Sequence, residues 1–78
     1  MICIFVQIRC KPSTAYDVAE ALALRELHSE IYSTSGDFDL LAKFYVAADQ
    51  DVGRFVNEAF KDMPDVERTL TTLTFKTF

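Results

Sequence analysis

His28-Ser29-Glu30-Ile31-Tyr32-Ser33-Thr34-Ser35-Gly36-Asp37-Phe38-Asp39-Leu40-Leu41-Ala42-Lys43-Phe44-Tyr45-Val46-Ala47 is the stretch whose reading decides the fold. Its first seven residues are rich in β-branched, aromatic and hydroxyl side chains. From Asp39 to Ala47, Leu40, Ala42, Phe44 and Val46 alternate with Leu41, Lys43, Tyr45 and Ala47. A period of two predicts a strand in each run. Ser35-Gly36-Asp37 between them is a turn signal, with Gly36 free to take positive φ, so the two strands form an antiparallel hairpin.

Upstream of the hairpin, Ile2, Ile4, Val6 and Ile8 alternate with Cys3, Phe5, Gln7 and Arg9, which predicts a first strand. Lys11-Pro12-Ser13-Thr14 stops it, because Pro12 cannot donate in a ladder and Ser13 or Thr14 can cap a helix. Ala15, Val18, Ala19 and Leu22 follow at helical spacing, so a helix runs to about Arg25. Downstream, Asp49 or Asp51 caps a second helix whose stripe is Val52, Phe55, Val56, Ala59 and Phe60. Pro64 marks its end at Met63. Val66 to Phe78 reads as a last strand with a phase slip near Thr71-Thr72, where a β-bulge is expected. The order is β-α-β-β-α-β, an α+β split βαβ arrangement over residues 1–78 as one domain.

Composition narrows the function. With 78 residues there is room for one thin core, and 50% hydrophobic and 13% aromatic content argues against disorder. The formal net charge is −4 and the basic residues are scattered, so no stripe exists to neutralise a phosphate backbone and direct nucleic-acid binding is not expected. No window reaches the roughly 20 apolar residues of a membrane span, which points away from membranes and to the cytoplasm. Cys3 and Cys10 lie on one predicted strand, about 23 Å apart at about 3.3 Å per residue, too far for a disulfide of about 6 Å. Free thiols suit a reducing compartment.

Two helices cover only one face of a four-stranded antiparallel sheet. If Ile2, Ile4, Val6, Ile8, Leu40, Ala42, Phe44 and Val46 face the helices, then Phe5, Leu41 and Tyr45 face away, joined by Leu70 or Leu73 according to where the bulge falls. Such an apolar patch predicts self-association through the sheet, a closed two-fold dimer being the simplest solution. A monomer whose second face is covered by its own last residues is the alternative.

For chemistry, Ser35-Gly36-Asp37-Phe38-Asp39 is the most specific local feature. Two carboxylates beside backbone N–H groups at a tight turn suit a zwitterionic amino acid, which needs donors for its carboxylate and an acceptor for its ammonium. Local turn bonds made by both aspartates are the competing reading. The threonines of the last strand fit a strand by propensity alone, though hydroxyls at an oligomer interface can also hold a small polar ligand. His28 is the one histidine, so a His-based metal site is not expected. No nucleophile elbow, phosphate-binding glycine loop or paired-cysteine motif occurs, and no cofactor is predicted.

Glu30-Ile31-Tyr32 leading into Thr34 through Lys43 resembles the "G-x-[YF]-D-[LY]-L" hairpin of the effector-binding domain of the Lrp/AsnC family of feast-or-famine transcriptional regulators. Met63-Pro64-Asp65-Val66-Glu67-Arg68-Thr69-Leu70-Thr71 resembles that family's "L-P-G-V-x-x-T-x-T" approach to the last strand, with Asp65 where the pattern has Gly. The likeness covers nearly the whole chain. It implies a ferredoxin-like sandwich that dimerises through its sheet, assembles to octamers or decamers and binds a free amino acid between dimers. By this resemblance Gly36, Asp37, Phe38 and Asp39 belong to the ligand-binding hairpin, with Asp39 as partner of the ammonium. Thr69, Thr71 and Thr72 then lie on the facing strand, and Phe5, Leu41, Tyr45, Leu70 and Leu73 at the dimer interface.

Family regulators carry an N-terminal helix-turn-helix domain, and here the first strand begins at Ile2. The chain resembles the stand-alone members, which implies co-assembly with a full-length Lrp/AsnC regulator. The expected function is therefore a non-enzymatic, oligomeric amino-acid-binding module. Two other readings are a small dimeric α+β barrel enzyme of monooxygenase or isomerase type using Tyr45 and His28, and an assembly domain without a ligand.

Overall fold

The computed structural model describes all 78 residues. The elements are β1 (Ile2–Cys10), α1 (Ala15–Leu24), β2 (Glu30–Ser33), β3 (Leu40–Val46), α2 (Val52–Ala59) and β4 (Val66–Leu73). All four strands form one antiparallel sheet in the order β2-β3-β1-β4. This is the ferredoxin-like βαββαβ arrangement, with the hairpin strand β3 placed centrally beside β1.

The alternation read in the sequence is what separates the two faces. Ile4, Val6, Ile8, Leu40, Ala42 and Phe44 are wholly buried and meet Val18 and Leu22 of α1 and Val56 of α2. Phe44 packs edge-on against Phe55 of α2 and Phe60 just after it, with ring centroids 5.5 and 6.3 Å apart, a geometry that aligns the positive edge of one ring with the negative face of another.

Several boundaries differ from the sequence reading. The second strand is shorter than 28–34, and the last ends at Leu73 rather than Phe78. Helix α2 ends at Ala59, not Met63, because the chain turns at Asp62 with φ of 61°, a left-handed conformation that a helix cannot contain. Asp51, not Asp49, caps α2, its carboxylate accepting the Arg54 N–H at 3.0 Å. At α1 neither expected cap acts as one. Thr14 occupies the N-cap position, but its hydroxyl donates to the Lys11 carbonyl at 2.8 Å instead.

The predicted bulge is present in β4 but in another place. Pairing runs unbroken through Val6↔Thr71 and Phe5↔Thr72, and the register shifts between Arg9↔Arg68 and Cys10↔Val66, leaving Glu67 as the extra residue. One extra residue flips everything beyond it to the other face. Val66 therefore faces the helices with Cys10, whereas Arg68 and Leu70 face away.

One clamp had no sequence signal. The guanidinium of Arg25, just after α1, donates to the carbonyls of Ala59 at 2.8 Å and Glu58 at 3.3 Å, and to that of Lys61. These acceptors include the last carbonyls of α2, which have no partner within the helix and attract a cation through the helix dipole.

Candidate functional site

The hairpin brings the predicted ligand residues to one end of the sheet. Gly36 adopts φ of 95°, a conformation that strains any residue with a Cβ, and so lets the chain reverse between β2 and β3. The turn is closed by the Thr34 N–H donating to the Asp39 carbonyl at 2.9 Å and by the Thr34 hydroxyl donating to the Phe38 carbonyl at 3.1 Å. Asp39 in turn reaches across to β1: its N–H donates to the Ile8 carbonyl at 2.8 Å, and its Oδ2 accepts the Cys10 N–H at 2.7 Å.

Gly36, Asp37 and Asp39 line one polar hollow of about 290 Å³ together with Arg9, Cys10, Pro12 and Glu67. That volume is near the lower end of the range of about 300–1,000 Å³ for ligand clefts. Arg9 lies 3.7 Å from Glu67, both about half exposed, so the guanidinium offsets one carboxylate and leaves Asp37 and Asp39 without a basic partner within salt-bridge distance. The field around Cys10 reports the same imbalance. Burial first, then the charges of Asp39, Asp65 and Glu67, raise the Cys10 thiol above its ordinary pKa. Chemically, the hollow offers acceptors for a cation next to one guanidinium for an anion.

The other predicted residues are distributed differently. Phe38 lies under the Arg68 guanidinium, 5.0 Å from its ring centroid, which extends the hairpin end toward the open face. Thr69 and Thr71 pair with Ile8 and Val6 on the helix side, whereas Thr72 pairs with Phe5 on the open side, so the three do not form one cluster within the subunit. None of the three lines the hollow. Arg9 and Glu67 do line it and carry no motif that singles them out in the sequence. Only the register and the bulge at Glu67 reveal them.

The open face carries Phe5, Leu41, Leu70 and Tyr45, with Leu70 and Tyr45 about half exposed. Leu73 pairs with Ile4 and so belongs to the helix side, contrary to its placement with the interface residues. Nor is the face uniformly apolar. Lys43 lies 3.6 Å from Glu30 and 5.2 Å from the Tyr45 ring centroid, and the Tyr32 hydroxyl donates to Glu30. Those contacts lower the Glu30 pKa, chiefly through the Tyr32 bond, and raise that of Lys43, chiefly through Tyr45. His28 and Tyr45 line different hollows, one between α1 and β2 and the other beside the start of β1, so no shared pocket brings the two side chains together.

A family model described as the Lrp/AsnC ligand binding domain matches residues 3–78. This chain belongs to the Lrp/AsnC family. An uncharacterized HTH-type transcriptional regulator of Pyrococcus furiosus, PF0250, is 33% identical over 76 residues, covering 94% of this chain and 51% of the relative. The Lrp/AsnC chain described here spans about half the length of the curated regulators it matches. Among solved structures, TTHA0845 from Thermus thermophilus superposes with a TM-score of 0.88 at 31% identity, covering 100% of this chain and 98% of that one. A feast or famine regulatory protein from M. tuberculosis, solved in complex with L-methionine, has the same fold, with a TM-score of 0.73 at 22% identity over 100% of this chain and 52% of that one. Residues 3–78 thus correspond to the ligand binding domain of Lrp/AsnC transcriptional regulators. No helix is long and apolar enough to cross a membrane.

Proposed function

We propose that this Lrp/AsnC domain is an oligomeric sensor of free amino acids that acts on transcription by assembling with a DNA-binding relative. The observation that carries the reading is the hairpin hollow, where Gly36, Asp37 and Asp39 meet Arg9. Asp37 and the free oxygen of Asp39 receive the ligand's ammonium, and Arg9 its carboxylate, with no catalytic step and no cofactor. The methionine complex of the mycobacterial family member supports the ligand class. Thr69, near the same end of β4, faces the ligand from a neighbouring subunit. Thr71 and Thr72 lie progressively farther from the hairpin and contribute less.

Phe5, Leu41, Leu70 and Tyr45 pair two sheets face to face, since an exposed apolar patch of this kind marks an association surface. Dimers then assemble into octamers or decamers in the cytoplasm, which places the hairpin hollow near a second dimer. Native mass spectrometry with and without each of the twenty amino acids tests both parts. The expected result is a multiple of the dimer with one ligand per subunit. If no amino acid binds or shifts the assembly, the sensor reading fails.

A ligand-free assembly domain is the second reading, favoured by the bond between Asp39 and the Cys10 N–H, which gives that carboxylate a structural task. It predicts the same oligomers with no amino acid bound.

A further inference from the structure

We infer that the segment after β4 is an arm that packs its two phenylalanines against a second copy of this chain. This rests on the face-to-face pairing proposed above. Thr74 fixes the root of the segment: its hydroxyl donates to the Cys3 carbonyl, across 71 positions of sequence. Beyond it the chain leaves the sheet ladder. No backbone hydrogen bond holds Phe75 to Phe78, and Phe75 and Phe78 are fully exposed, at 100% and 105%. Phe75 to Thr77 border the edge of their own open face beside Cys3 and Tyr45 but do not cover it, and Leu70 and Tyr45 remain half exposed.

Two aromatic rings in water forgo a large stabilisation, and position, reach and area point to a second copy as what covers them. The root borders the open face, since Cys3 and Tyr45 line the same groove as Thr74 and Phe75. From Thr74 to Phe78 the extended chain reaches about 13 Å, more than the spacing of about 10 Å between packed sheets. Four rings from two copies would bury on the order of 600–1,000 Å², at about 150–250 Å² per ring. A stable interface needs about 1,200–2,000 Å², so the arms would supply a large share of it. Because arm and open face lie on the same chain, a two-fold pair lets each copy give one and receive the other.

The test compares the full chain with a Phe75→Ser/Phe78→Ser double variant by sedimentation equilibrium. Unchanged far-UV circular dichroism confirms that the subunit still folds. The dimer dissociation constant is expected to rise about 100-fold or more. In a mixture of isotope-labelled and unlabelled full chain, the Phe75 and Phe78 rings are expected to show intermolecular nuclear Overhauser effects. A variant that dimerises as tightly as the full chain, without such effects, overturns the arm and leaves the sheet pairing standing. A full chain that stays monomeric overturns both.

Discussion

Asp39 and Cys10, 29 positions apart, are joined by a hydrogen bond in which the Cys10 N–H donates to Asp39 Oδ2 at 2.7 Å. The bond anchors the hairpin to the end of β1 and sets the position of the carboxylate assigned to the ligand. Under the proposed function, structure and binding both depend on this one side chain, and two substitutions separate them. Asp39→Ala leaves the Cys10 N–H without its partner and should cost about 1–3 kcal/mol, lowering the melting temperature by about 4–8 °C for each kcal/mol lost. Asp39→Asn keeps an acceptor and should lose about 1 kcal/mol or less. Both should lose amino-acid binding. Thermal melts followed by circular dichroism, paired with isothermal titration, check the contrast; equal melting temperatures for the two variants would show that the bond does not hold the hairpin.

Arg25 connects the end of α1 to the carbonyls at the end of α2. Arg25→Ala should destabilise the fold by about 1–3 kcal/mol, since it strips several acceptors of a charged donor at once. Arg25→Lys should recover only part of this, because an ammonium lacks the guanidinium's fixed fork. Urea unfolding gives the magnitude. Faster amide exchange confined to α2 would locate the loss.

Leu70 and Leu73 are both about half exposed, yet the register puts them on opposite faces. Leu70→Lys should weaken dimerisation by at least about tenfold, because a charge in a buried interface is expensive to desolvate. Leu73→Lys should leave it nearly unchanged. Analytical ultracentrifugation of the two variants decides the point, and equal weakening would mean that the open face is not the contact.

Cys10 is 6% exposed and its thiol pKa is raised by burial and then by neighbouring carboxylates. The folded state thus holds this proton more tightly than the unfolded chain does. Its contribution to stability is intact below the ordinary thiol pKa of about 8.5 and is lost as pH rises through the higher folded value. The stability lost between pH 8 and pH 10 should be smaller in Cys10→Ala than in the parent. Thiol labelling offers a second check: Cys3, half-buried on the open face, should react before Cys10.

The alternation along Ile2 to Arg9 and Leu40 to Val46, the stripes of both helices and the glycine turn were legible in the sequence, and with them the β-α-β-β-α-β order. Each is a local pattern whose period is fixed by strand or helix geometry. Resemblance in the hairpin and in the approach to β4 was enough to indicate the Lrp/AsnC family. Only the tertiary structure decided the rest. Whether Leu70 or Leu73 faces outward depends on one unpaired residue, Glu67, and a bulge is a property of two strands rather than of one. The hollow joins Arg9, the Gly36–Asp39 hairpin and Glu67 from three separate strands or their ends, so no spacing along the chain announces it. The Arg25 clamp needed the ends of two helices to meet. Local periodicity fixes which face of each element is apolar; pairing register and long-range contact fix which side chains meet, and those are set only when the chain closes on itself.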